Sequence, residues 1–86
     1  MKFSVKIQKE FIHSGERFYK DNKIQFCLCK NGKEYDCIGL IDDFTSDELI
    51  IKSVYIDNFY IFGCLYIKPK EIKDGSMKKL KNYDYY

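Results

Sequence analysis

The sequence predicts an all-β fold: a small antiparallel sheet of five to six strands or a partly open barrel, with room for a short C-terminal helix. Three observations predict it. Apolar residues alternate with polar ones at a period of two along much of the 86-residue chain, the spacing of a strand with one buried face. Two dipeptides, Asn31-Gly32 and Asp57-Asn58, sit where that alternation turns back, and both pairs tolerate the positive φ of a tight hairpin. The apolar weight is carried by Ile, Phe and Tyr, with no Ala and no Trp. Such stiff, wide side chains suit a pleated surface, whereas helices draw on Ala, Leu, Glu and Gln.

Each element follows from local pattern. Phe3, Val5 and Ile7 alternate with Lys2, Ser4, Lys6 and Gln8, as in a one-sided strand. His13-Ser14-Gly15-Glu16 reads as a turn, residues 17–20 fit strand or loop, and Asp21-Asn22 is a second break. Ile24, Phe26 and Leu28 alternate with Gln25, Cys27 and Cys29 up to Asn31-Gly32. A two-residue turn there pairs Leu28 with Tyr35 and Phe26 with Cys37. The returning strand is expected to run to about Asp42, with Gly39 marking a bulge or bend inside it.

Residues 43–47 read as an acidic loop, and Leu49–Ile56 as the next strand. A turn at Asp57-Asn58 places Ile56 opposite Phe59 and Val54 opposite Ile61, in a strand returning over residues 59–68. One face of that hairpin then carries Ile50, Val54, Ile56, Phe59, Ile61, Leu65 and Ile67, the expected core. The other carries Leu49, Ile51, Tyr55, Tyr60, Phe62, Cys64 and Tyr66. A hairpin apolar on both faces is either covered twice or binds something. Pro69 lacks a backbone donor and ends the ladder or lies on an edge, residues 71–73 suit one last short strand, and the i, i+3 spacing of Met77, Leu80 and Tyr83 suits a short helix or a frayed end. The expected organisation is a single β domain over residues 1–75 and a basic, Tyr-rich tail over 76–86.

Ile24, Phe26 and Leu28, then Asn31-Gly32-Lys33, Gly39-Leu40-Ile41-Asp42, Leu49-Ile50-Ile51, Gly63 and Ile67-Lys68 before Glu71-Ile72 together resemble the small five-stranded barrels of the Sm-like family. The resemblance spans residues 24–74 and implies a barrel; members of that family bind RNA through the loops of a ring. The chain departs from the family at the positions that touch RNA. The spacing from Gly32 to Gly39 is longer, Thr45-Ser46-Asp47-Glu48 stands where the family places an Asn, and Pro69 stands where it prefers Gly. The resemblance therefore implies a shape and no RNA-contacting residues.

Charge is unevenly spread. The net value is +2, yet residues 1–23 and 68–86 are basic and residues 24–67 are acidic. Asp42, Asp43, Asp47 and Glu48 flank Phe44, a large hydrophobe among carboxylates. They suit a protein interface in which an aromatic anchor supplies affinity and charges steer encounter; the alternative is that Phe44 folds back onto the core and the acids solvate the loop. The same loop lacks the ligand spacing and turn glycine of a calcium loop. Tyr55, Tyr60 and Tyr66 extend the candidate surface. The alternative surface is basic: Lys68, Lys70, Lys73, Lys78, Lys79 and Lys81 are placed to track phosphates, with Tyr83, Tyr85 and Tyr86 to stack on bases. Arg17 is the only arginine, which weighs against a base-reading site.

No catalytic motif emerges. His13 is the only histidine, and nothing in the sequence points to a nucleophile and acid beside it. Cys27 and Cys29 share a strand face, but the strand rise sets their sulfurs roughly 6–7 Å apart, too far for zinc thiolates. Cys37 and Cys64 fall on other strands. The expectation is no metal and no cofactor.

The stretch MKFSVKIQKEF alternates where a signal peptide would run apolar, and no run reaches a membrane span. Four reduced thiols in a cytoplasmic protein are expected. Lys, Ile, Tyr and Asn abundance accompanies AT-rich genomes. The expected function is a non-catalytic binding module acting on a protein partner, for example a phage or mobile-element inhibitor of a host nucleic-acid enzyme, with homo-oligomers allowed. The alternative is a small RNA- or DNA-binding barrel using its basic termini.

Overall fold

The structure, a computed structural model, describes residues 10–80. The expected strand through Phe3, Val5 and Ile7, and the tail from Lys81 onward, lie outside the described residues. The fold is all-β, with every strand pair antiparallel. Strands β1 (Glu10–His13) and β2 (Glu16–Tyr19) form a separate two-stranded hairpin. The main sheet holds β3 (Lys23–Lys30), β4 (Lys33–Phe44), β5 (Leu49–Ile56), β6 (Phe59–Ile61), β7 (Leu65–Ile67) and β8 (Lys78–Leu80). Its order is β6-β5-β4-β3-β8, and β7 pairs with the same edge of β5 that β6 uses.

Turn chemistry builds these hairpins. Ser14-Gly15, Asn31-Gly32 and Asp57-Asn58 each hold two consecutive positive φ values, at 52° and 79°, 54° and 77°, and 49° and 72°. That is the backbone twist a two-residue connection needs to match twisted strands. The registers at the two turns legible in sequence are as expected: Leu28 faces Tyr35, Phe26 faces Cys37, Ile56 faces Phe59 and Val54 faces Ile61. The Asp57 turn is also tied to β4. The Asp57 amide donates to the Asp36 carbonyl at 2.8 Å, and the Asp36 amide donates to Asp57 Oδ1 at 2.9 Å.

One face of the main sheet is the core. Ile24, Phe26, Leu28, Cys37, Ile41, Leu49, Ile51, Val54 and Ile67 are buried on it. The β1–β2 hairpin closes over this face through Phe18 and Phe11, whose rings stack at 5.2 Å, while Phe11 meets Phe44 edge-on at 4.8 Å.

Two phase slips revise the expected faces. Between Ile38 and Leu40 of β4 the partners step from Tyr55 to Lys52, so β5 carries one extra residue; Ser53, at φ 53°, takes the strained position. Between Ile41 and Asp43 the partners step only from Ile51 to Ile50, so β4 carries the extra residue there. A one-residue slip moves every later side chain to the opposite face. Leu49 and Ile51 therefore join Val54 in the core, and the expected core residue Ile50 moves to the outer face beside Asp43 and Tyr66. Phe59 is on the expected side but runs past the sheet edge and is 75 % exposed.

The C-terminal segment is also revised. Lys78–Leu80 is a strand paired with β3, not a helix, because the free edge of β3 offers unpaired backbone groups. Met77 is buried in the core, so the fold continues past residue 75, the expected boundary of the tail. Residues 71–73 form no strand. Pro69–Glu71 is a 3-10 turn, and Ile72 makes a single bridge to Leu28.

Gly39 tests the packing between β4 and β5. It is buried, and a Cβ there would run into the Ile51 side chain and lie 3.0 Å from the Lys52 carbonyl oxygen. Gly39→Ala is expected to lower stability by about 1–3 kcal/mol through overpacking. Urea denaturation checks this, and an unchanged midpoint would mean that the two strands do not approach this closely.

Candidate functional site

The outer face of the sheet, opposite the core, carries an aromatic surface. Cross-strand pairing puts Ile38, Tyr55 and Tyr60 in one row and Asp43, Ile50 and Tyr66 in another. Between these rows β5 is bulged at Lys52-Ser53, and the outermost strand breaks opposite it at Phe62-Gly63-Cys64. Gly63 takes a φ of 92° in that break, and Phe62 is thrown outward, 90 % exposed. Tyr60 meets Tyr55 at 5.3 Å and Phe62 at 5.2 Å, both edge-on. Tyr55, Tyr60 and Tyr66 are the surface candidates of the sequence, and Phe62, assigned there to the same hairpin face, joins them.

The acidic residues are only partly available. Phe44 is not an exposed anchor: it is 4 % exposed and sits in the core, because the extra residue in β4 turns it inward onto Phe11. Asp43 Oδ1 accepts the Phe44 amide at 2.8 Å. Asp42 lies 3.7 Å from Lys52 Nζ, which is held more closely by Asp21 at 2.9 Å. The Lys52 ammonium keeps the Asp21 carboxyl below its ordinary range, chiefly by that hydrogen bond, and Asp21 in turn raises Lys52. Asp47 and Glu48 lie in a tight turn whose amides donate to Thr45 Oγ1 at 3.2 and 3.1 Å.

The lysines do not form one stripe. Lys78 and Lys79 are consecutive on β8 and point to opposite faces. Lys79 packs over the Phe18 and Tyr19 rings at 5.8 and 5.9 Å. Lys73 pairs with Glu34 at 3.3 Å, while Lys68 and Lys70 flank Pro69 in and before the 3-10 turn. Glu71 accepts the Lys68 amide at 2.9 Å, which is the main reason its carboxyl is held low. Lys68 directly follows β7, on the edge of β5 that carries Tyr66, whereas Lys78 and Lys79 lie on β8 beside β3. Lys81 lies outside the described residues.

On the core side, a cleft of about 280 Å³ opens between the β1–β2 hairpin and the β4–β5 connection. His13, Ser46 and Glu48 line it with Phe11, Phe44 and Met77. His13 Nε2 is buried with no hydrogen-bond partner among the described residues.

The thiols divide by environment. All four cysteines are free; Cys37 is buried and Cys64 exposed. Cys27 and Cys29 lie on the outer face, and their sulfurs and a Glu34 carboxylate oxygen all fall within 4.8 Å of one another. That is closer than the strand rise alone implies, because side chains lean along the strand. Glu34 is brought in by the Asn31-Gly32 hairpin, which pairs it with Cys29. That register was deducible from the sequence, so the trio was within reach of it.

No helix among the described residues is long and apolar enough to cross a membrane. Compared with known proteins, the chain matches no protein-family model, no curated protein and no solved structure.

Burial pushes the Cys37 thiol up to about 11, with Asp36 and Asp57 adding to the effect. Its ordinary value is 9.0. Between these values the unfolded chain has lost a proton that the folded chain retains, so stability falls as pH rises through the window. Thermal midpoints measured from pH 8.5 to 11 are expected to drop more steeply for the wild type than for Cys37→Val. Parallel slopes would overturn the assignment.

Proposed function

We propose that this protein is a non-catalytic binding module that grips a protein partner through the aromatic outer face at its β5–β6–β7 edge. The observation that carries this reading is the exposed set Tyr55, Tyr60, Phe62 and Tyr66, which are 46 %, 48 %, 90 % and 59 % accessible. Tyrosines combine a wide apolar body with a hydroxyl and rotate about few bonds, so they supply contact area at low entropic cost. Asp43, in the row of Ile50 and Tyr66, supplies charge at the margin of the patch, and Asp47 and Glu48 stand at the end of the same β4–β5 hairpin. A phosphate-mimicking inhibitor would need a run of outward carboxylates; Asp42 shares Lys52 and Asp43 caps the Phe44 amide, so the aromatic residues are assigned the larger share of binding. The four free thiols favour a reducing, cytoplasmic setting.

The Sm-like resemblance is kept as a proposal about shape. Strands β3, β4 and β5 form a meander, β6 and β7 follow it, and after the 3-10 turn β8 returns to β3. This course supports a small, open barrel. The basic-end reading, an RNA or DNA binder, gains less support, because Lys73 is engaged by Glu34 and Lys79 by the Phe18 and Tyr19 rings.

Truncating Tyr60 and Phe62 together to Ser is expected to leave the circular dichroism spectrum unchanged. Loss of two central aromatic contacts should weaken affinity for a partner isolated from host lysate by at least about 30-fold, the equivalent of about 2 kcal/mol. Sedimentation at rising concentration distinguishes a second copy of the chain as that partner. Undiminished binding by the double variant, or binding to bulk nucleic acid that falls steeply with salt and with Lys70→Ala and Lys78→Ala, would overturn the aromatic-face reading.

A further inference from the structure

We propose that Cys27, Cys29 and Glu34 form a site for a soft divalent cation of the zinc class, independent of the aromatic surface. Two thiols and a carboxylate are a ligand set that zinc accepts. Their donor atoms lie within 4.8 Å of one another. A tetrahedron with bonds of about 2.3 Å has edges of about 3.8 Å, so contraction of about 1 Å, within the reach of side-chain rotation, completes three of its corners. Solvent takes the fourth, since the trio lies on the half-open outer face.

The backbone holds these groups in place. The Asn31-Gly32 turn fixes Glu34 opposite Cys29. At the free edge of β3, the Lys73 amide donates to the Cys27 carbonyl at 2.9 Å, and the Cys27 amide donates to Ser76 Oγ at 3.1 Å. This clip also brings Lys73 Nζ within 3.3 Å of Glu34 Oε2. Lys73 completes the charge balance: two thiolates and a carboxylate carry three negative charges, a divalent ion two positive, and the lysine the third. A ligand carboxylate held from behind by a charged donor is the arrangement that orients metal ligands elsewhere.

Binding proceeds by proton exchange. Each thiol gives up its proton to solvent as its sulfur forms a bond to the ion, so two protons leave per ion bound and no electrons move. Affinity therefore rises with pH.

The reduced full chain titrated with cobalt(II) tests the site. Expected are a near-ultraviolet thiolate-to-cobalt charge-transfer band, the visible bands of a tetrahedral ion, saturation at one equivalent, and displacement by zinc. Cys27→Ser and Cys29→Ser should each abolish the charge-transfer band or weaken binding at least a hundredfold, Glu34→Gln should weaken it at least tenfold, and Cys64→Ser should leave it unchanged. In the wild type, zinc should slow alkylation of Cys27 and Cys29, mapped by mass spectrometry, and leave Cys64 reactive; this readout holds even where a variant fails to fold. Absence of the charge-transfer band, its survival in both cysteine variants, its loss in Cys64→Ser, or equal alkylation with and without zinc would each overturn the proposal.

Discussion

A β-strand sends alternate side chains to alternate faces, and a single extra residue reverses that assignment for everything beyond it. The structure depends on two such reversals in its central β4–β5 pair, one at Ser53 and one between Ile41 and Asp43. They are complementary. The slip in β5 keeps Leu49, Ile51 and Val54 on one face, and the slip in β4 brings Phe44 onto that face with Cys37 and Ile41. Without them, half of these side chains would point to solvent and the β1–β2 hairpin would have no apolar floor on which to lay Phe11 and Phe18. Ser53 bears the cost as a non-glycine residue at positive φ. The gain is a contiguous core in a chain with little apolar surface to spare.

The same slips shape the aromatic outer face. The bulge at Lys52-Ser53 deprives the outermost strand of a regular partner, so that strand breaks into β6 and β7 with Phe62 projecting from the break. A broken, twisted edge is poor at pairing with another chain's strand. The edge is thus blunted as a strand template while its aromatic face is displayed. Lys52 lies at the centre of that face with its charge engaged by Asp21 and Asp42, which leaves the neighbouring rings as the most accessible contact groups.

The other edge is finished differently. After Pro69 ends the ladder, the chain crosses back as a 3-10 turn, drops Ile72 and Met77 into the core, and pairs residues 78–80 with β3. Ser76 and Lys73 clip onto the Cys27 backbone on the way. The segment that covers the edge therefore also organises the surroundings of the cysteine pair. Covering the edge and shaping the thiol trio are one structural event, which is why Lys73, nominally part of a basic C-terminal run, ends at Glu34 instead of in a phosphate-tracking stripe.

Period-two alternation and the dipeptides Asn31-Gly32 and Asp57-Asn58 determined, from sequence alone, the all-β class, two hairpins and their registers. These are local properties: turn geometry at two residues sets the pairs along the adjoining strands up to the first bulge. Tyr55 and Tyr60 were legible as one face for the same reason, since the Asp57-Asn58 turn pairs them directly, whereas Tyr66 reaches that face only through the bulge that pairs it with Ile50. What the tertiary structure alone decided lies beyond a register shift or a long connection. Ile50 exchanged places with Leu49 and Ile51, and Phe44 turned inward, because a bulge is selected by what the opposing layer needs filled and not by the residues around it. Lys78–Leu80 became a strand although Met77 and Leu80 carry helical spacing, because the free edge of β3 offers hydrogen bonds that an isolated short helix in water does not.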